Sequence, residues 1–316
     1  MKADKKIDEV RASRAGHSFH ERWAARRALQ LIFPKDNLFA IAVEGLTPFD
    51  AGKFGQKAEE IADLTLFYGE GDTFASCSAM QILQFKYKVS PKPVTSSYLK
   101  KTVKKFAATF LQLKKKVQDK DTHKLSFGFV TNAEFASELQ EAILCLQNGN
   151  SHTSTDVKRQ LNYLCRWCGE ENVDASEIFP LIDFNASTKN LPAQNRKLRK
   201  TLTGWSSGSA GKAAIRLFAL VELVREKAQI EGQGRNSIRR EDVLDALECD
   251  DDDLFPAETR FVDIGEVVKR EILTELKEKI GSMCKPIFLH AAGGVGKTVL
   301  IQNLACLLYT SDAADE

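Results

Sequence analysis

The stretches I-A-D-L-T-L-F-Y (61–68) and M-Q-I-L-Q-F-K-Y-K (80–88), with the Gly-rich turn Gly69-Glu70-Gly71-Asp72 after the first, read as a pair of strands. Side chains alternate faces along a strand, so Asp63 and Thr65 share a face and Leu64 and Leu66 point the other way. In the second strand Leu83, Phe85 and Tyr87 form the apolar face, and Gln84, Lys86 and Lys88 share the opposite one. An acid on one strand, with an amide and a lysine two apart on the next, converge at one spot. Two readings follow. Charged residues are a normal way to blunt a sheet edge. Alternatively, oxygen donors for Mg²⁺ and a cation near an attacking water or scissile phosphate are what divalent-metal phosphodiester cleavage needs.

Working outward, residues 1–12 are charged and expected to fray, and the pattern predicts a helix from Gly16 to Phe33, ended by Pro34. His17, Glu21, Ala24, Ala28 and Leu31 fall on one face of it. Glu21 is thus either an N-terminal acid favoured by the helix dipole or an extra metal ligand. L-F-A-I-A-V-E (38–44) reads as a buried strand ending on Glu44. Residues 94–116 form an amphipathic helix with Leu99, Val103, Phe106, Phe110 and Leu113 on its apolar face. Its lysines (Lys100, Lys101, Lys104, Lys105, then Lys114, Lys115 and Lys116) form either a solvated face or a phosphate-tracking one. L-S-F-G-F-V (125–130) is a strand, and Glu134–Gln147 a helix. The element order is αβββαβ.

The D…(E/Q)-x-K layout of Asp63, Gln84 and Lys86 resembles the active site of PD-(D/E)xK nucleases, the restriction-endonuclease-like family, whose α/β core has this αβββαβ order. The runs A-G-H-S-F-H-E-R-W-A-A-R-R-A-L-Q-L (15–31), A-V-E-G-L (42–46), E-I-A-D-L-T-L-F-Y (60–68), Q-F-K-Y (84–87) and F-V-T-N (129–132) resemble the N-terminal nuclease module of antiviral STAND ATPases of bacterial defence. The resemblance implies a nuclease domain over 13–150 that cleaves double-stranded DNA. It implies Asp63, Gln84 and Lys86 as the catalytic set, Asp63 and Gln84 as Mg²⁺ ligands, and Glu44 or Glu21 as a further member. Gln84 stands where many members carry an acid, and a neutral amide is the weaker ligand.

From 151 to 262 the chain reads as a helical linker region, with helices Asp156–Cys168 and Ala210–Ile230. Ser237 has the spacing of a helix cap for a short helix to Leu247. Arg196, Lys197, Arg199 and Lys200 form a basic patch, read as solvated surface in preference to the alternative, a DNA contact. The acidic run Asp250–Asp253 reads as the approach to a seam at 254–257, and a charged amphipathic helix is expected over Ile264–Ile280. Then P-I-F-L-H (286–290), A-A-G-G-V-G-K-T (291–298) and a helix start give the strand, Gly-rich loop and helix of a Walker A site. Gly293, Gly294, Val295 and Gly296 would cradle phosphates with backbone N–H groups. Lys297 would reach the β- and γ-phosphates of ATP, and Thr298 would ligate Mg²⁺. This form resembles STAND and NACHT signalling ATPases, so 263–305 is expected to be the start of a truncated P-loop domain. C-L-L-Y-T-S-D-A-A-D-E (306–316) resembles a translated sequencing adapter, which implies that native sequence stops near Ala305. The resemblance then implies a parent protein that senses a phage component through a missing C-terminal sensor. It would assemble as a homo-oligomer with ATP and so activate its nuclease.

At 43% apolar and 28% charged, with net charge +2 over 316 residues, the composition is that of a globular protein without a global field toward nucleic acid. No run is apolar enough to span a bilayer and no signal peptide is evident, so a cytoplasmic protein without a membrane partner is expected. Of seven cysteines, Cys165 and Cys168 form the close pair, which lacks the second pair of a zinc site. The alternative to an enzyme is a non-catalytic DNA-binding or interaction module on a regulatory P-loop ATPase.

Overall fold

Six strands of the computed structural model form one sheet in the order β5-β4-β3-β2-β1-β6. They are β1 Leu38–Val43, β2 Leu64–Gly69, β3 Cys77–Lys86, β4 Leu125–Thr131, β5 Ile182–Asn185 and β6 Ser237–Ile238. β1, β2 and β3 pair antiparallel; β3, β4 and β5 run parallel. The structure describes residues 2–32, 37–54, 60–89, 92–116, 124–150, 154–185, 188–205, 210–229, 236–249, 272, 274–276 and 300–301.

Helices cover both faces. Ile82 of β3 pairs with Phe127 of β4 and shares its face, whereas Phe85, three residues on, takes the other. On the Phe127 side lies α3 (Ser96–Lys116), whose Phe106 ring sits 4.8 Å from that of Phe127. Leu99, Val103, Phe106, Phe110 and Leu113 are all buried, which is the expected apolar stripe. Helices α4 (Ser137–Asn148) and α5 (Thr155–Gly169) pack on this side, and the short α6 (Ala175–Ile178) leads into β5. On the Phe85 side lies α1 (Lys2–Ala28), with Trp23 at 5.1 Å and Phe19 edge-on at 6.2 Å from the Phe85 ring. Such aromatic pairs add about 0.5–1.5 kcal/mol each beyond area burial. α7 (Leu191–Trp205) and α8 (Ala210–Ala228) pack against α1. The short helices α2 (Pro48–Phe54) and α9 (Arg240–Ala246) follow β1 and β6.

Several expectations are corrected. The first helix runs from Lys2, because Lys, Glu, Asp and Ala at 2–13 contain no breaker, and it ends at Ala28 in a 3₁₀ turn, Leu29–Leu31. β2 begins at Leu64, since Glu60 and Ile61 close a helical turn and Asp63 occupies a bend. Ser237 does not cap a helix. It pairs with Ala42 in β6 and bonds Asp72, and α9 starts after Arg239, whose N–H is held by the Asp242 carboxylate at 2.7 Å. A boundary at 150 falls inside one compact unit, Met1–Asp250, because β5, β6, α7 and α8 from the supposed linker complete the sheet and cover it. Asp251–Glu316 forms a second unit. The strand 286–290 and the loop Gly293–Thr298 lie outside the described residues. No helix among the described residues is long and apolar enough to cross a membrane.

Candidate active site

Asp63 sits where three strands end. Its N–H donates to Leu83 O (3.0 Å), and its carbonyl accepts from Glu44 N–H (3.1 Å), so the backbone ties the end of β1 to β3 through this residue. Its carboxylate Oδ2 accepts from Phe85 N–H at 2.6 Å and from the Gln84 side-chain amide. Asp63 and Gln84 therefore meet, as strand alternation requires. Lys86, one alternation further on, is near enough that its charge favours the ionised form of Asp63. Burial outweighs this help and the two hydrogen bonds, and pushes the Asp63 carboxyl above its usual range. Lys88, on the same face, is drawn away: its ammonium donates to Lys92 O (2.7 Å) and Pro93 O (3.0 Å). Asn132 clamps the Lys88 backbone on both sides, at 2.7 and 2.8 Å, which fixes the end of β3 against β4.

Glu44 follows β1 with φ +50°, the left-handed region that a residue with Cβ rarely adopts. The turn points the chain end toward Asp63, and both line one pocket of about 280 Å³ with His17, His20, Glu21 and Arg225. The Glu44 residue carries exposed surface at this pocket. The protein crowding its carboxyl, and next the charge of Asp63, raise the Glu44 pKa against the opposing pull of His17.

Glu21 lines the same pocket, but its carboxylate is already taken by arginine. Arg225 of α8 grips it through one guanidinium edge, Nε to Oε1 at 2.8 Å and Nη2 to Oε2 at 3.1 Å, and Arg22 adds a third bond at 3.0 Å. Of the two further acids, the structure thus places Glu44 beside Asp63 and ties Glu21 to arginine. His20 and Arg225 were not singled out from sequence. His20 packs on Phe85 with ring centroids 5.1 Å apart and the planes tilted by 41°, and burial, His17 and Lys86 lower its pKa to about 4 against Glu21, so it is neutral at pH 7. The signal for it was its place three residues beyond His17 on α1. Nothing local marked Arg225.

Whether these residues suit a hard divalent cation turns on their donors. Two neighbouring carboxylates that both resist ionisation are stabilised by a cation between them. Among the described residues, no group of three His, Cys, Asp or Glu is close enough to hold a metal. The third protein oxygen would be Gln84 Oε1 once the amide, whose Nε2 now donates to Asp63, turns over, with water completing the shell, as Mg²⁺ tolerates well. The donor set fits Mg²⁺ with few protein ligands.

No family model matches the chain, and no curated protein matches it. Among solved structures it is similar to that titled "Structure of Moraxella osloensis Cap4 SAVED/CARF-domain containing receptor", at 15% identity and TM-score 0.43. The likeness covers 77% of this chain and 50% of that one, so the chain spans about half the length of the protein it matches.

Proposed function

We propose that the chain carries a metal-dependent DNA endonuclease site of the PD-(D/E)xK type on a restriction-endonuclease-like core. The observation that supports it most is the meeting of Asp63, Gln84 and Glu44, with Lys86 beside them, at the ends of β1, β2 and β3. Asp63 and Gln84 would hold Mg²⁺, and Glu44 would add the second carboxylate. When bound, the metal lowers the pKa of water and offsets charge on a phosphoryl oxygen. Lys86 supplies a fixed positive charge for the attacking water or the phosphate. The Phe85 N–H and the Asn132 clamp keep Asp63 and the end of β3 in register, so little backbone reorganisation is needed. Neutral His20 packs beneath this group and leaves Lys86 as its cation.

The setting proposed for this site is the one the sequence resemblance implies. It is the cytoplasmic effector of an antiphage STAND ATPase, assembled as a homo-oligomer with ATP at Gly293–Thr298 and triggered by a phage component. A second reading, a DNA-binding or interaction module without catalysis, draws support from the donor set itself: among the described residues no three acids converge on one point, and Gln84 stands as an amide. Mn²⁺ binding by electron paramagnetic resonance and plasmid nicking with Mg²⁺ separate the two. Asp63→Asn is expected to lose Mn²⁺ binding, and Lys86→Ala to keep it, with nicking lost in both and the melting temperature nearly unchanged. Equal Mn²⁺ binding by wild type and Asp63→Asn would refute the nuclease reading.

A further inference from the structure

The chain as a whole is nearly balanced, with 45 Lys and Arg against 43 Asp and Glu, but not locally. From Phe184 to Val221 there is no Asp or Glu, while Lys189, Arg196, Lys197, Arg199, Lys200, Lys212 and Arg216 all fall there. α7 buries Gln194, Leu198 and Leu202 and leaves Arg196, Lys197, Arg199 and Lys200 exposed. It packs on the part of α1 that carries Arg22, Arg26 and Arg27, and the contacts across the seam are neutral. Arg22 Nε donates to Asn195 Oδ1 at 2.9 Å, and Arg26 Nη1 to Gln194 Oε1 at 2.8 Å. Amides orient a guanidinium without cancelling its charge. Lys197 accordingly lies close enough to Arg26 and Lys189 that their repulsion lowers its pKa. Glu21, at the pocket end of the seam, is held by Arg225 and Arg22.

We propose that the α1–α7 seam is a sequence-independent track for the phosphate backbone of double-stranded DNA, a proposal that rests on reading the adjoining pocket as acting on DNA. Arg22 is thus partly neutralised, but Arg26, Arg27 and the α7 cations gather with no acid partner among the described residues, and such like charges are relieved by a polyanion that releases its own counterions on binding. The track starts at the site: His20 and Arg27 lie on one helix, about 10 Å apart at 1.5 Å per residue, about three steps of one DNA strand. α3 is the poorer surface, because its lysines are partly neutralised. Lys104 pairs with Glu170 and Glu171, Lys105 with Glu60, and Lys114 with Glu177. A lipid surface fits α7 less well, since no large apolar side chain is exposed among its described residues.

The test is duplex binding without catalysis. The full chain is titrated against a fluorescein-labelled 30-base-pair random duplex in EDTA, by anisotropy, between 50 and 200 mM salt. The variant joins Arg196→Gln, Lys197→Gln, Arg199→Gln and Lys200→Gln, all at exposed positions where Gln keeps helix propensity. If two or three of the four meet phosphates, the salt slope falls by about 2–3 and affinity at 100 mM drops at least about a hundredfold. Should circular dichroism show that this variant misfolds, Arg196→Gln and Arg199→Gln singly are each expected to lower the slope by about 1. Unchanged affinity and slope, or no duplex binding by the wild type at 50 mM salt, overturns the proposal. An equal loss from Lys100→Gln, Lys101→Gln and Lys115→Gln together overturns it as well, by showing that only net charge matters. Lost binding to 30% phosphatidylserine vesicles with duplex binding intact transfers the surface to lipid and also overturns it. Because the assay needs no metal, its failure is separable from failure of the Asp63→Asn test.

Discussion

Gly128 is a point where packing and site geometry meet. It pairs with Leu83 across the parallel β3–β4 ladder, and a Cβ built on it would stand 2.3 Å from Leu83 Cδ2. Leu83 is itself 2% exposed, so its methyl group has no open space to retreat into. Gly128→Ala should therefore act as overpacking, at about 1–3 kcal/mol. For a unit of this size that is a fall in melting temperature of roughly 2–12 °C. Leu83→Ala alone leaves a cavity, at about 2–5 kcal/mol. The double variant should be better than the sum by about 1–3 kcal/mol, because the added methyl enters the space the leucine vacated. Urea titrations at constant m-value read all three differences. Gln84 and the Phe85 N–H follow Leu83 directly, so a displaced β3 should also weaken Mn²⁺ binding in Gly128→Ala, and the second substitution should restore part of it. A Gly128→Ala variant within about 0.5 kcal/mol of wild type, strictly additive with Leu83→Ala, would refute this account of the β3–β4 contact.

Two further outcomes follow from the pocket. His20 has its folded-state pKa depressed from 6.5 to about 4, so between those pH values the unfolded chain binds the extra proton and stability falls as pH drops. Relative to His20→Gln, the wild type should lose up to about 3 kcal/mol between pH 7 and pH 4, and parallel pH–stability curves would contradict it. Arg225→Ala should cost about 1 kcal/mol or less, the pair being discounted because the arginine side chain is 39% exposed; a loss above about 3 kcal/mol by urea titration would show that Glu21 depends on it far more.

The sheet core was legible because its signals are local. The buried stripe Leu99–Leu113 reports a period that only a helix satisfies, and β3 shows as a short apolar run, its residues 82–85 all buried because helices cover both faces. β5 and β6 were not legible. Ile182–Asn185 and Ser237–Ile238 are too short to show a period, and they become strands because β4 and β1 present edges to them. The same blindness turned part of the sheet's covering into a linker: α8 looks like a freestanding helix, and α7 only like a basic patch, until α1 supplies the surface they bury.

The site divides in the same way. Asp63 and Gln84 are 21 residues apart, one just before β2 and one in β3, and the β2–β3 register brings them together. Glu21 could be placed on an inward face of its helix, yet that placement serves a metal ligand and an ion-paired acid equally. A half-buried carboxylate takes its role from the cation that reaches it first, and here that cation arrives from 204 residues away, on a helix whose position no local pattern encodes. Glu44 is the converse case. A short backbone excursion into the left-handed region, invisible in the residue type, is what sets its carboxyl beside Asp63 instead of beside an arginine. The two acids are thus distinguished by partner and backbone, and the one left facing another carboxylate is the one with reason to accept a metal.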